Sequence, residues 1–331
     1  MTKSRWRAWY EWCRLHRVDP LHCTSPELCE YLVSVFDSGK AVSTVRGHLS
    51  AIATTIRLST KRDMVAGNVR LTAMLQGFVK QRPVCHVTVP KWDLTLILMA
   101  LRNPPYEPLH KATRKSVTLK AAFLTQLALA ARPCELAKFS RLVGVTRRGC
   151  TLTPLPGATL KSTNPETVRM MRDVFVPSLY DISGGIEEEM LLCPVRVLRR
   201  YEEMVATLRV KGQPFFLPYS GSRGKVSANT ISTWIRTVIR DAYGALGPAD
   251  LKLAGRTAHE VRALAASWAE FNNVPLSDIL SNCNWKSPTL FSSCYYRDLT
   301  SISEAMAAVG TIVTAGRVIT PAGDTGALSR P

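Results

Sequence analysis

The chain has 331 residues, 46% of them hydrophobic, with 43 Lys+Arg against 25 Asp+Glu, a net charge of +18 and a pI near 9.8. This length accommodates two domains, and the composition excludes an intrinsically disordered chain. So large a basic excess is expected of a surface that neutralises a nucleic acid and releases its counterions; a membrane-surface role fits less well, because the charge is spread along the chain.

No apolar run reaches bilayer length, and the first residues lack the apolar core of a signal peptide, so the expected setting is intracellular, nucleus or cytoplasm. The nine cysteines form no C-x-x-C pair, and the six histidines form no H-x-x-x-H or Cys/His cluster. Reduced thiols, no structural metal and no cofactor are the expectation.

In chain order, Trp6, Trp9, Tyr10 and Cys13 recur at helical spacing, and Asp19-Pro20 ends that helix. Ser25-Pro26-Glu27 restarts one with a capping residue, a proline at the first position and an early acid. Leu28, Tyr31, Leu32 and Val35 form its buried stripe, and Gly39 closes it. Ser43-Thr44 opens a third helix through Ile56, and Arg70 to Val79 forms another. Gln81 to Pro90 has two prolines and no helical period, which makes it an extended linker.

Helical pattern resumes at Trp92-Asp93 and from Ala112 to Ala131, the second run so apolar that burial on most sides is predicted. Strands are predicted at Val143 to Val145, Cys150 to Thr153 and Arg172 to Val176, separated by Pro154, Pro156, Gly157 and Asn164-Pro165. Further helices are predicted at Cys193 to Leu208, Ser227 to Tyr243, His259 to Phe271 and Leu276 to Cys283. The tail from Pro321 is expected to fray.

Several polar residues stand at the edges of these apolar helices. Arg132 follows F-L-T-Q-L-A-L-A-A and precedes Glu135 in R-P-C-E-L. His259 and Arg262 occur in A-H-E-V-R-A-L-A-A, and Trp285 precedes Tyr295-Tyr296 in F-S-S-C-Y-Y-R-D-L. Singly, each is an ordinary helix-end residue.

In order, Arg…Lys…His-x-x-Arg…Trp…Tyr resembles the signature of the tyrosine recombinases, or phage-type integrases, over nearly the whole chain. P-K-W-D-L at 90–94 and F-S-S-C-Y-Y-R-D-L at 291–299 look most like recombinases of DIRS-type retrotransposons. The resemblance implies a mainly α fold with a small antiparallel β-sheet or hairpin. Residues 1–80 would be a helical core-binding domain, 81–91 a linker, 92–320 the catalytic domain and 321–331 a flexible tail. It implies site-specific recombination of double-stranded DNA for a mobile element, without metal, ATP or membrane. By analogy, a homotetramer assembles on two duplexes, with S-I-S-E-A-M-A-A-V-G-T-I-V-T-A-G docking on a neighbouring protomer.

The chemistry explains the residue types. Attack on a phosphodiester builds charge on its non-bridging oxygens, and Arg132 and Arg262 can grip those oxygens through rigid, permanently charged forks. The resemblance makes Tyr295 the nucleophile of a 3′-phosphotyrosyl intermediate and gives the general-acid role to a hairpin lysine, here Lys161 in G-A-T-L-K-S-T-N-P. His259 would bond a phosphate oxygen and help move the tyrosine proton. Trp285 stands where many relatives have histidine; its indole N–H donates but takes up no proton. Relatives place the tyrosine nine residues past that position, which here is Cys294, so Tyr295 is preferred over Tyr296 at ten and eleven. Glu135 reads as an anchor for Arg132 or its helix.

Ser43, Thr44, Arg46 and His48 resemble the start of the family's major-groove helix, where a helix N-terminus suits phosphates and Arg46 could reach a phosphate or a base edge. The chain starts almost inside its first helix, so part of the DNA-embracing domain is expected to precede it. A type IB topoisomerase shares this chemistry, and a catalytically dead DNA-binding derivative shares the charge; the small helical N-terminal domain and the complete residue set favour the recombinase.

Overall fold

The computed structural model describes residues 2–83, 93–160, 168–180, 187–210, 212–220, 224–244, 258–271, 273–283 and 292. The chain divides into two compact units with a boundary between His86 and Val87. It is mainly helical, with one three-stranded antiparallel sheet, as expected.

The first unit contains α1 (Thr2–His16), α2 (Ser25–Asp37), α3 (Val42–Thr60) and α4 (Val69–Gln81). Their apolar stripes meet in a core of Trp9, Cys13, Leu28, Tyr31, Leu32, Phe36, Val45, Leu49, Ile52, Ile56, Leu71 and Phe78. The cap of α2 is Thr24, not Ser25. Its hydroxyl accepts from Glu27 N while Glu27 Oε2 accepts from Thr24 N at 2.6 Å, a reciprocal box that satisfies two orphan donors. Ser25 instead accepts from Asn68 Nδ2 at 2.9 Å, tying α2 to the N-cap of α4. The third helix begins at Val42, so Ser43 and Thr44 lie inside its first turn rather than at its cap, which is Ala41. Arg82 stacks over Phe36 at 3.7 Å and donates to the Phe36 and Lys40 carbonyls, holding the end of α4 against the end of α2.

The second unit is built around α6 (Arg114–Leu129), in which every residue from Ser116 to Leu129 is buried. Around it lie α5 (Leu94–Leu101), α7 (Pro133–Leu136), α8 (Glu187–Met190), α9 (Pro194–Val205) with a 3-10 turn Ala206–Leu208, α10 (Ala228–Tyr243), α11 (Ala258–Phe271) and α12 (Leu276–Asn282). Helices α9, α10 and α11 all pack on α6. A helix covered on all sides is expected to be apolar all round, and its one buried charge is satisfied in place. The fully buried Lys120 donates to Leu101 O at 2.7 Å and to Glu107 Oε1 at 2.5 Å; Glu107 is also gripped by Arg196.

The sheet has the order β1 (Phe139–Val143), β2 (Gly149–Pro154), β3 (Val174–Pro177), antiparallel throughout. Leu142, Cys150, Leu152 and Val176 face inward. The first strand lies earlier than the predicted Val143 to Val145. Phe139 and Leu142 anchor it in the core, and Gly144 ends it at φ +58, a left-handed conformation open to glycine. Beyond β2 the chain stays paired: Thr159 bridges Met170, and Leu160 N donates to Arg169 O at 2.7 Å.

Candidate active site

The two candidate phosphate-gripping arginines come from segments far apart in sequence, and the second unit brings them to one carboxylate. Helix α6 ends at Ala130, which takes a left-handed φ of +45. That turn lets the chain reverse, and Pro133 starts α7 with Arg132 as its N-cap residue. One turn on, Glu135 reaches back: Oε2 accepts from Arg132 N at 2.8 Å and Oε1 from Arg132 Nη1 at 2.8 Å. The same Oε2 lies 3.6 Å from Nη1 of Arg262 on α11.

The two guanidiniums are held differently. The Arg132 side chain keeps 15% of its surface exposed. That of Arg262 keeps 1%, with Nη1 donating to Ala130 O at 2.7 Å and Nη2 to Cys283 O. Those carbonyls follow directly on α6 and α12, and exposed carbonyls at helix C-termini carry partial negative charge that favours a buried cation. The unusual φ of Ala130 therefore aims a carbonyl at Arg262.

Of the remaining sequence-predicted residues, His259 lies in the first turn of α11, one turn ahead of Arg262, and its side chain falls outside the described residues. Lys161, Trp285, Tyr295 and Tyr296 also lie outside them, as does the docking segment at 301–316. Lys161 directly follows Leu160, the last described pair of the β2–β3 hairpin stem. Lys138, two residues past α7, donates its ammonium to Thr159 O and accepts Leu155 N at 2.7 Å on its own carbonyl. It ties the hairpin stem to the Arg132 turn. Sequence reasoning passed over Lys138, whose only signal is its closeness to R-P-C-E-L.

In the first unit, Ser43 and Arg46 are exposed on α3, and Thr44 and His48 are half-buried. His48 shares a 2.7 Å hydrogen bond between its Nδ1 and the Tyr31 hydroxyl. Burial, and then the charge of Arg5, push its pKa below the usual imidazole value. It is thus partly a core residue as well as a candidate contact.

No family model matches the chain, and no curated protein matches it. Among solved structures, a lambda integrase dimer bound to a COC′ core site matches with a TM-score of 0.51 and 15% identity, over 91% of this chain and 88% of that one. The chain has an integrase fold. In this integrase fold the described part of the candidate site is the Arg132–Glu135–Arg262 cluster, at the junction of α6, α7, α11 and α12. Among the described residues no helix is long and apolar enough to cross a membrane, and no group of three His, Cys, Asp or Glu side chains converges to hold a metal ion.

Proposed function

We propose that the chain is a tyrosine recombinase, of the kind found in DIRS-type retrotransposons, that cuts and rejoins double-stranded DNA at specific sites for a mobile element. The observation that carries this reading is the convergence of Arg132 and Arg262 on one buried carboxylate in a chain with an integrase fold. Two fixed cations are what a phosphodiester needs as charge builds on its non-bridging oxygens. The more exposed Arg132 meets the phosphate first, and Arg262 completes the grip.

The Tyr295 hydroxyl attacks phosphorus and gives up its proton with the help of His259. The bond to the 5′-oxygen breaks, and Lys161 supplies the proton that this leaving group takes. The 3′-phosphotyrosyl bond conserves the energy of the bond it replaces, so a 5′-hydroxyl of another strand reverses the step without ATP or metal. Trp285 donates its indole N–H to the phosphate. Residues 1–80 embrace the duplex with Ser43, Thr44, Arg46 and His48, residues 92–320 carry the chemistry, and four copies act on two duplexes.

The test uses a nicked suicide duplex carrying a site selected from random-sequence DNA, with products resolved on denaturing gels. A covalent protein–DNA adduct in wild type that disappears in Tyr295→Phe, and forms in the presence of EDTA, is expected. Loss in Tyr296→Phe alone moves the nucleophile by one residue. Abolition by EDTA overturns the mechanism.

A further inference from the structure

Helix α3 has a glycine, Gly47, well inside it, where glycine costs about 1 kcal/mol relative to alanine. The space above it is occupied. A Cβ at position 47 would lie 2.4 Å from Nη1, 2.5 Å from Cζ and 2.7 Å from Nη2 of Arg5. Three atoms of one guanidinium at nearly equal distance mean that its plane lies flat on the backbone of α3. Helical register puts Gly47 one turn from Ser43 and beside Arg46, on the side away from Val45, Leu49, Ile52 and Ile56, which are buried. Ala51, one turn after Gly47, is buried, and Arg5 and Gly47 are both half-buried, so Arg5, on α1, lies across α3 at the edge of the α1–α3 packing.

Nothing on either helix offsets the charge. The only acid of α1 is Glu11, paired with Arg7 at 2.9 Å, and α3 contains no acid. Among the described residues no carboxylate pairs with Arg5 or Arg46. Collecting unpaired cations on one face opposes folding of the free protein, and a polyanion reverses that cost.

We propose that Arg5 is a further contact to the DNA backbone, a phosphate clamp seated on α3 by Gly47. The proposal rests on the reading of this chain as a DNA-acting enzyme. Because α3 has only short side chains at Ser43 and Gly47, the clamp delivers a long planar cation to a close-lying duplex from a neighbouring helix, in a fixed direction.

The experiment measures binding of the full chain to a fluorescent mixed-sequence duplex as a function of salt, for wild type, Arg5→Ala, Gly47→Ala and the double variant. Each phosphate neutralised contributes about 0.9 to the slope of log K against log[salt]. Arg5→Ala is expected to flatten the slope by about 0.9 and to weaken binding about eightfold near 0.1 M salt. Gly47→Ala is expected to weaken binding by displacing the guanidinium while leaving Tm unchanged or higher, since alanine favours the helix. The double variant should bind no more weakly than Arg5→Ala. An unchanged slope in Arg5→Ala, with wild type binding normally, overturns the clamp alone. Wild type that binds no duplex overturns the DNA reading and the clamp with it. A Gly47→Ala protein that binds as wild type shows that the seating is irrelevant, and overturns the role given to Gly47.

Discussion

Glu135 Oε2 lies 3.6 Å from Nη1 of Arg262 while Oε1 of the same carboxylate accepts from Arg132 Nη1 at 2.8 Å. One buried acid therefore pairs with two cations, leaving the cluster a net charge of +1, and caps α7. Glu135→Gln keeps the shape and one acceptor oxygen, but its amide NH2 must face a guanidinium N–H. The expected loss is about 1.5–3 kcal/mol, the range for hydrogen bonds to charged groups, read from denaturant unfolding. DNA cleavage should fall as well, because the arginines are no longer held at fixed separation. A variant as stable and active as wild type would show that Glu135 does not set that geometry.

Arg132 and Arg262 should separate in their effect on stability. Arg262→Met leaves the carbonyls of Ala130 and Cys283 without their donor and removes one cation from a buried carboxylate. That is expected to cost about 3–5 kcal/mol. Arg132→Ala removes one charged hydrogen bond at a side chain that water still reaches, about 1.5 kcal/mol. Both variants should lose adduct formation. Thermal melts of the two variants decide the matter, and equal losses of Tm would contradict the buried anchoring of Arg262.

Much of this fold was legible in the sequence, for identifiable reasons. Helix periodicity located α2, α4, α6, α9, α10 and α11 to within a few residues, because each has a strong apolar stripe or, in α6, no polar side at all. The errors fell where tertiary packing decides. Val143-Gly144-Val145 has strand composition, yet the ladder sits earlier because Phe139 and Leu142 fill the core. Ser25 looked like a cap, yet Thr24 takes the role because its hydroxyl and Glu27 reach each other. In the candidate site, Arg132 and Arg262 are singled out by their order in the Arg…Lys…His-x-x-Arg…Trp…Tyr pattern, and the structure brings their side chains to one carboxylate. That Glu135 spans both was not legible, since the contact joins segments that only the packing of α11 on α6 brings together. Lys120 was missed for the same reason: a lysine within an apolar run reads as a surface residue until its partner Glu107, in the loop before α6, is in place.

The Lys120–Glu107–Arg196 cluster gives the fold an acid-sensitive element. Glu107 accepts from Lys120 Nζ at 2.5 Å, from Arg196 Nη1 at 2.6 Å and Nη2 at 3.1 Å, and from Leu109 N at 2.9 Å. Burial alone would raise its pKa, but the hydrogen bonds from Arg196 and Lys120 outweigh it and hold the carboxyl below the ordinary value of 4.5. A folded-state pKa below the unfolded one means that the unfolded chain binds more protons in that window. The carboxylate therefore contributes stability that is fully present above about pH 4.5 and is lost as pH falls through the lower, folded value. Glu107→Gln cannot titrate and leaves Lys120, fully buried, without its counter-charge. Burial already pushes that ammonium down to about 8 with Glu107 present. The variant should be less stable by about 3 kcal/mol at pH 7, and its deficit should shrink as pH falls below 4.5, where wild type loses the same interaction. Urea unfolding of both proteins between pH 7 and pH 3 tests this. A deficit that stays constant across that range would mean that Glu107 acts through shape rather than charge.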